Sequence, residues 1–566
     1  MPENVPKTEN FSQAIKPVPV SQSYFVPKNR TLESLIQFAY DSHIPSSMKK
    51  HCIDLHETGQ FSSFFLDYIA GKAELRPFYS HLPALESFPK AIENKSFSPE
   101  TRKILCQSLQ NQYEGIELFE EEKSSLSQLS DEKTFTVTTG HQLNLFTGPL
   151  YFIYKIVSTI RLAEQLNAAY PAYRFVPVYW MATEDHDFDE INYFKLDGKK
   201  YQWNSDQHGA VGDFVLDEGF REYLKTLGFI PEVFKSAYSS SKTLKEAVRK
   251  YVHDLFGKKG LLIVDGHDAA LKTVFKHVIR EDLFEHTPHK EATLKTESLE
   301  SLGYGGQIFP REINLFYLEA GIRERIERQG DRFVVLNTEL SFSQAEMEAL
   351  IEQSPEKFSP NVVLRPLYQE MILPNLAYFG GPAEVVYWLQ LKGVFDHFDQ
   401  AFPILLPRNF ALVLDKLTQQ KMRQLGWEPA ELFGDIEQWK KEHVAEHAQE
   451  DIELKAEKEQ LAQLFDQRGE SAAALEKSLQ DSFASAKTRA LKILDQMSDK
   501  LRKAEERRQH VDLARADAVK DWIAPGGSPQ ERVVNMMQFY LQDQSFVEQL
   551  YELFDPLDFR MMVLEP

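Results

Sequence analysis

Residues 134–151, TFTVTTGHQLNLFTGPLY, decide how this chain is read. A β-branched run, Thr134–Gly140, ends in glycine. An apolar run then starts at Pro149 and continues to about Leu166, with Ile153, Ile156, Val157 and Ile160 at helical spacing. A strand that turns through glycines into a helix is the opening half of a βαβ unit. Pro149 is expected at the first helical position, where a missing amide costs nothing. The turn is expected to point free amides and the positive end of the helix dipole outward, making an anion site. His141 and Gln142 would add side-chain donors. A plain glycine-rich turn with His141 hydrogen-bonded inside is the other reading. The stretch is neither a Walker loop nor G-x-G-x-x-G.

Working outward, similar runs recur at Phe175–Met181, Leu261–Gly266, Asn314–Glu319, Arg332–Leu336 and Phe402–Arg408, separated by helical stretches. Continuous apolar runs suit strands buried on both faces of a parallel sheet. The expectation is an α/β, doubly wound core over residues 48–430, with the polar stretch at about 197–259 as an insertion. The chain then changes character. Ser471–Ala524 holds no glycine or proline, and Leu475, Leu479, Phe483, Ala486, Ala490, Ile493, Met497, Leu501 and Ala504 form a helical stripe. An earlier helical run, Asp435–Gln467, ends at Arg468-Gly469. Two long antiparallel helices are expected over residues 431–524, with Gly469 in the turn, the second approaching about 80 Å. Apolar surface along such a pair predicts a homodimer. Pro525-Gly-Gly-Ser-Pro529 stops the helix, and residues 525–566 read as a C-terminal helical segment. There Gln530, Glu531 and Arg532 follow the glycine turn, either as part of a plain helix stop or at the edge of a further pocket.

Composition bounds the function. At 566 residues the chain exceeds one small domain, and 42% hydrophobic residues supply a core. Two cysteines, Cys52 and Cys106, exclude a disulfide framework and a thiolate-cage zinc site, and suit a reducing cytoplasm. A net charge of −21 argues against a nucleic-acid partner. No run of about 18 apolar residues predicts a membrane span. Residues 1–47, rich in Pro, Ser, Asn and Gln, are expected to be a disordered extension, with Met48 as an alternative start.

Two more constellations carry chemistry. Thr183–Glu190 packs five carboxylates, Glu184, Asp185, Asp187, Asp189 and Glu190, at the end of the run FVPVYWM, where open α/β sheets bind ligands. Such crowding calls for an ammonium or a metal among them; an acidic surface loop with Asp189 capping a helix is the plainer reading. The third motif runs from Asn361 through Arg365, then Gly380-Gly-Pro-x-Glu384 with Tyr387 and Trp388. Arg365 suits a carboxylate or phosphate clamp, or a structural ion pair. Glu384 is expected to face a substrate amine or hydroxyl. Arg408 ends a run that would face the same cleft.

At these motifs the sequence resembles the bacillithiol-biosynthesis cysteine ligases. The likeness is carried by Gly140-x-Gln142 with Thr147-Gly-Pro-Leu-Tyr151, Glu184-Asp-His-Asp-x-Asp-Glu-Ile-Asn192, Asn314-Leu-Phe-Tyr317, Asn361-Val-Val-x-Arg-Pro-Leu367, Gly381-Pro-x-Glu384 with Tyr387-Trp388, and Pro529-Gln-Glu-Arg532. It spans about His51 to the C-terminus. It implies a Rossmann-like core with inserted connecting segments, similar to class I aminoacyl-tRNA synthetases, and a coiled coil that dimerises. It implies a carbon–nitrogen ligase joining cysteine to the amine of glucosaminyl-malate, the last step of bacillithiol synthesis, with ATP or ADP as cofactor and no firm metal. On that basis Gly140, His141, Gln142, Asn144, Thr147, Gly148, Gly380 and Gly381 would hold the nucleotide. His186, Asp185 and Asp187 would be catalytic. Glu184, Asp189, Asn314, Arg365, Glu384, Tyr387 and Arg408 would hold substrates. The synthetases' lysine-rich signature loop and the mycothiol ligase's cysteine zinc site have no counterpart in the sequence. The rival readings are a metal-dependent hydrolase built on Asp185-His186-Asp187, and a coiled-coil scaffold whose core binds a nucleotide as regulator.

Overall fold

Five parallel strands, β1 (Thr134–His141), β2 (Arg174–Met181), β3 (Leu262–Asp265), β4 (Asn375–Gly380) and β5 (Ile404–Pro407), form the central sheet. They are hydrogen-bonded in the order β5-β4-β1-β2-β3. Read from the other edge this is the doubly wound order, with its switch point between β1 and β4. The computed structural model behind this description covers residues 48–449 and 451–565, and the extension expected over residues 1–47 lies outside them. Both faces of the sheet are covered. Tyr378 and Leu405 feed one core cluster, while their neighbours Val137, Phe379 and Leu406 feed the other. That double burial is why the strands read as continuous apolar runs. Helix α1 (Tyr151–Ala169) crosses from β1 to β2 with Ile153, Ile156, Val157 and Ile160 all buried.

β4 escaped the sequence reading, and two of the expected core runs belong elsewhere. Leu315–Glu319 and Arg332–Val335 lie in an inserted antiparallel sheet with Ile322–Gln329, Ser341–Ser343 and Phe358–Pro360. Glu319 pairs with Ile322 and Gln329 with Arg332, so only two residues separate the partners in each hairpin. A parallel crossover needs a dozen or more residues, so these hairpins can only be antiparallel. The stretch read as an insertion at 197–259 is largely helical, and its last helix, Leu244–Phe256, lies against the core, with Arg249 donating to the Ile263 carbonyl on β3.

Helix α2 (Leu364–Ile372) and helix α3 (Pro382–Leu389) flank β4 in sequence. The helical pair is α4 (Lys455–Ala473) and α5 (Ser478–Arg508). Lys487 pairs with Asp466 and Lys458 with Asp495, which fixes the antiparallel register. Gly469 is inside α4 rather than in the turn: a Cβ there would approach the Cβ of Phe483 to 3.3 Å, so glycine lets the helices close. The expected single helix breaks at Gln509, and α5 is about 46 Å long at the usual rise, not about 80 Å. Helix α6 (His510–Ile523) follows because Ala516, Val519 and Ile523 are buried against the core. The segment after it ends in a strand, Met561–Glu565, not a helix; it pairs with Lys49–Ile53 and Phe410–Val413. Among the described residues no helix is long and apolar enough to cross a membrane.

Candidate active site

A cleft of about 740 Å³ opens over the carboxyl ends of the strands at the switch point. Gly140, His141 and Gln142 enter it from β1, Ala182 to Asp185 from β2, and Gly266 and His267 from β3. Gly381, Glu384 and Tyr387 come from the start of α3, and Arg365 from α2. Phe309, Arg311, Phe316 and Arg323 reach in from the inserted segments, and Arg532 from beyond α6. Gly380 is required at the end of β4, since a Cβ there would meet the Glu384 Cβ at 2.9 Å.

The turn after β1 differs from expectation. Its helix begins at Tyr151, and Pro149 instead bridges to Asn535. The amide of Phe146 donates to the Tyr238 hydroxyl, that of Gly148 to the Leu145 carbonyl, and that of Leu150 to the Val534 carbonyl. Asn144, Thr147 and Gly148 are buried, and Asn535 donates to the carbonyls of Phe146 and Gly148. These three amides are therefore engaged inside the fold, and Asn144, Thr147 and Gly148 are buried away from the cleft lining, which corrects their reading as a phosphate cradle. Gly140, His141 and Gln142 do face the cleft. The His141 Nδ1–H donates to the Gln142 carbonyl at 3.0 Å, which leaves Nε2 without a proton. Burial, helped by Lys155, pushes the imidazole down to about 3, so His141 is neutral.

The carboxylate crowd is relieved by protein cations. Glu184 accepts from Lys272 at 2.7 Å, lies 3.3 Å from His267 Nδ1 and accepts from the Ser359 hydroxyl at 2.8 Å. Burial alone would raise its carboxyl, but Lys272 and His267 hold it down to about 2. Gln142 donates to both Asp185 and Glu190 at 2.8 Å. Arg323, stacked 4.1 Å from the Phe316 ring, lies 2.5 Å from His186 Nδ1. A guanidinium only donates, so the His186 Nδ1 lone pair is engaged. Burial and Arg323 together lower the His186 pKa. His186, Asp187 and Asp189 are exposed at the rim, outside the cleft lining.

Of the third motif, Arg365, Glu384 and Tyr387 come together, but Glu384 is already committed. It accepts from the Gly381 amide at 2.7 Å, from Tyr378 at 3.1 Å and from Lys155 at 2.5 Å. Arg408 is buried and donates twice to Glu531, at 2.8 and 2.6 Å, so its charge is also matched. Asn314 is not in the cleft. It is buried, receives no solvent, and bonds Asp282, Arg311 and Asn361, thereby fixing the two loops that line one wall.

Arg365 is different. Its Nη1 donates to Gln369, the guanidinium sits 5.5 to 5.9 Å from the rings of Trp180, Tyr378 and Trp388, and its buried Nη2 has no hydrogen-bond partner. Gln369 in turn donates to Glu370, which pairs with buried Lys95, so the clamp is braced from beneath. Arg311 and Arg532 also line the cleft, and among the described residues neither guanidinium has a carboxylate partner. Sequence reasoning missed Lys155, Arg311, Arg323 and Lys272, which lie in helices and insertions far from the motifs they serve.

Comparison with known proteins agrees with this architecture. Residues 48–409 match the family model of the bacillithiol biosynthesis BshC N-terminal Rossmann-like domain, and residues 411–566 that of its C-terminal coiled-coil domain. A protein of Cytophaga hutchinsonii is 43% identical over 511 residues, covering 90% of this chain and 98% of the relative. One of Flavobacterium johnsoniae is 39% identical over 530 residues, covering 91% and 100%. One of Chloroherpeton thalassium is 30% identical over 555 residues, covering 89% and 98%. All three carry the name "Putative cysteine ligase BshC".

Proposed function

Because the chain belongs to the bacillithiol-biosynthesis BshC family and is a cysteine ligase that forms a carbon–nitrogen bond, we propose that its cleft joins the carboxyl group of cysteine to the amine of glucosaminyl-malate. The observation that carries the choice of acceptor is the charge balance of the cleft. In a protein of net charge −21, three guanidinium groups, Arg311, Arg365 and Arg532, line one cavity without carboxylate partners. Such a set fits a ligand with several oxyanions, and the malate half brings two carboxylates. Arg365 takes one of them on its unpartnered Nη2, and Arg311, which lines the same cleft, takes the other.

The amine approaches on the β2 side, where Asp185 offers a carboxylate to an ammonium. His186 beside it is the base. Its Nδ1 becomes available when a substrate oxyanion draws Arg323 away, and it then accepts the amine proton as the amide bond forms. His141 stays neutral and presents Nε2 as a hydrogen-bond acceptor. Most of the acceleration comes from holding the two reactants together. A free carboxylate has no good leaving group; a nucleoside triphosphate, when bound, would transfer a phosphoryl or nucleotidyl group to the cysteine carboxylate oxygen, and that oxygen would depart as phosphate or nucleoside monophosphate as the amine attacks. With Arg365 on the malate and the Gln142 amide committed to Asp185 and Glu190, Arg532 keeps the donor chemistry that a phosphate requires.

The enzyme works as a homodimer in the cytoplasm. The pair α4–α5 leaves Ile493 57% and Leu501 37% exposed, a stripe that suits a second copy. The test of the reaction is direct. Purified protein is given cysteine, glucosaminyl-malate and ATP, and bacillithiol is sought by mass. No thiol product under any nucleotide or metal condition would defeat the reading.

A further inference from the structure

The run Gln530–Asn535 is pinned to the core by all but one of its polar side chains. The Gln530 side chain accepts from the Val413 amide and donates to the Val413 carbonyl, both at 2.9 Å. Glu531 closes two bonds on Arg408. Asn535 donates to the carbonyls of Phe146 and Gly148 at 2.7 and 2.6 Å. Gln530, Glu531 and Asn535 are all buried. Arg532 is the exception. It is exposed, it makes no side-chain hydrogen bond or ion pair among the described residues, and it lines the cleft.

A segment held this firmly fixes the backbone from which Arg532 reaches the cleft. The neighbouring positive charges do not duplicate it, because Arg408 is neutralised by Glu531 and Lys155 by Glu384. Tyr151 lines the same cleft, and its hydroxyl lies in the field of both Arg408 and Arg532. We propose that Arg532 is an oxyanion-binding residue of the active site, delivered by the segment beyond the coiled coil. This rests on the ligase reading above. The ligand group is a carboxylate of the acceptor or a phosphate of a nucleotide, and the two are told apart by titration.

Binding of glucosaminyl-malate and of ADP is measured by calorimetry for the wild-type chain, Arg532→Gln and Arg532→Lys. A charge-assisted pair of this kind is worth at least a factor of about ten in affinity. Arg532→Gln is expected to weaken one of the two ligands at least tenfold, leave the other within twofold, and keep the wild-type melting temperature; Arg532→Lys should recover part of the loss. Weakened glucosaminyl-malate marks a carboxylate subsite, and weakened ADP a phosphate subsite. If the wild-type chain binds both ligands and Arg532→Gln binds both as tightly, the proposal is overturned while the ligase reading stands. If the wild-type chain binds neither, the ligase reading and the proposal fall together.

Discussion

Glu531→Gln should loosen the whole C-terminal latch. The substitution keeps the shape of the side chain and removes its charge. Arg408 and Glu531 have side chains only 4% and 7% exposed and share two bonds, at 2.8 and 2.6 Å. Bonds to a charged group contribute roughly 1.5–3 kcal/mol each, and breaking a buried pair by removing one partner costs about 3–5 kcal/mol. The rings of Tyr151 and Phe410, 5.5 and 5.0 Å from the guanidinium, return some of that. A net loss of about 3 kcal/mol remains, or roughly a hundredfold in a local opening equilibrium. A chain of two folded parts need not unfold in one step, so hydrogen exchange is the suitable assay. The amides of Leu150, Val534 and Asn535, bonded to Val534, Gln530 and Lys195, report on the latch. They should exchange about a hundred times faster in Glu531→Gln, while amides of α5 stay unchanged. The double variant Arg408→Met with Glu531→Leu should restore most of the protection, because it leaves no buried charge. Wild-type exchange at Val534 in Glu531→Gln would refute the claim that this pair holds the segment.

Three other perturbations test the account. Lys272→Met removes one of the two cations that hold Glu184 down and leaves His267; depressing that carboxyl from 4.5 to about 2 by both is worth about 3 kcal/mol, present above pH 4.5 and lost as pH falls toward 2, and the variant forfeits the Lys272 share of it. The variant should therefore be less stable at pH 7 in urea, with the gap closing in acid; equal stability at pH 7 would contradict the pairing. Gly380→Ala drives a Cβ to 2.9 Å from that of Glu384 and should cost about 1–3 kcal/mol together with most of the activity, read by melting and product formation. Ile493→Glu with Leu501→Glu should convert a dimer to a monomer in sedimentation; an unchanged mass would rule out the helical pair as the interface.

The sequence shows the parts of this fold that depend on local pattern. β1, β2, β3 and β5 stand out because strands buried on both faces are continuously apolar. β4 did not, since Asn375–Gly380 follows a proline and merges into a glycine motif. Leu315–Glu319 and Arg332–Val335 have the same composition as core strands, and only their two-residue turns, Ala320-Gly321 and Gly330-Asp331, separate them from a parallel sheet. The acidic cluster after β2 was legible, but the cations that make it affordable were not. Lys272 and Arg323 lie 88 and 138 residues from the partners they serve, Glu184 and Asp185, and no periodicity announces them. The glycine turn after β1 had the right chemistry for an anion, yet its amides go to the Tyr238 hydroxyl and to the carbonyls of Leu145 and Val534, and two of those partners lie far along the chain, where no local motif announces them. The arginines without partners are equally invisible in sequence, because a free guanidinium and a paired one are the same letter.

The proposed binding mode puts glucosaminyl-malate in the switch-point cleft with its malate on Arg365. A crystal structure of the protein with that compound bound tests it most directly. A malate carboxylate oxygen is expected within about 3 Å of Arg365 Nη2, and the sugar amine on the side of Asp185. Density for the compound elsewhere, with Nη2 still without a partner, would contradict it.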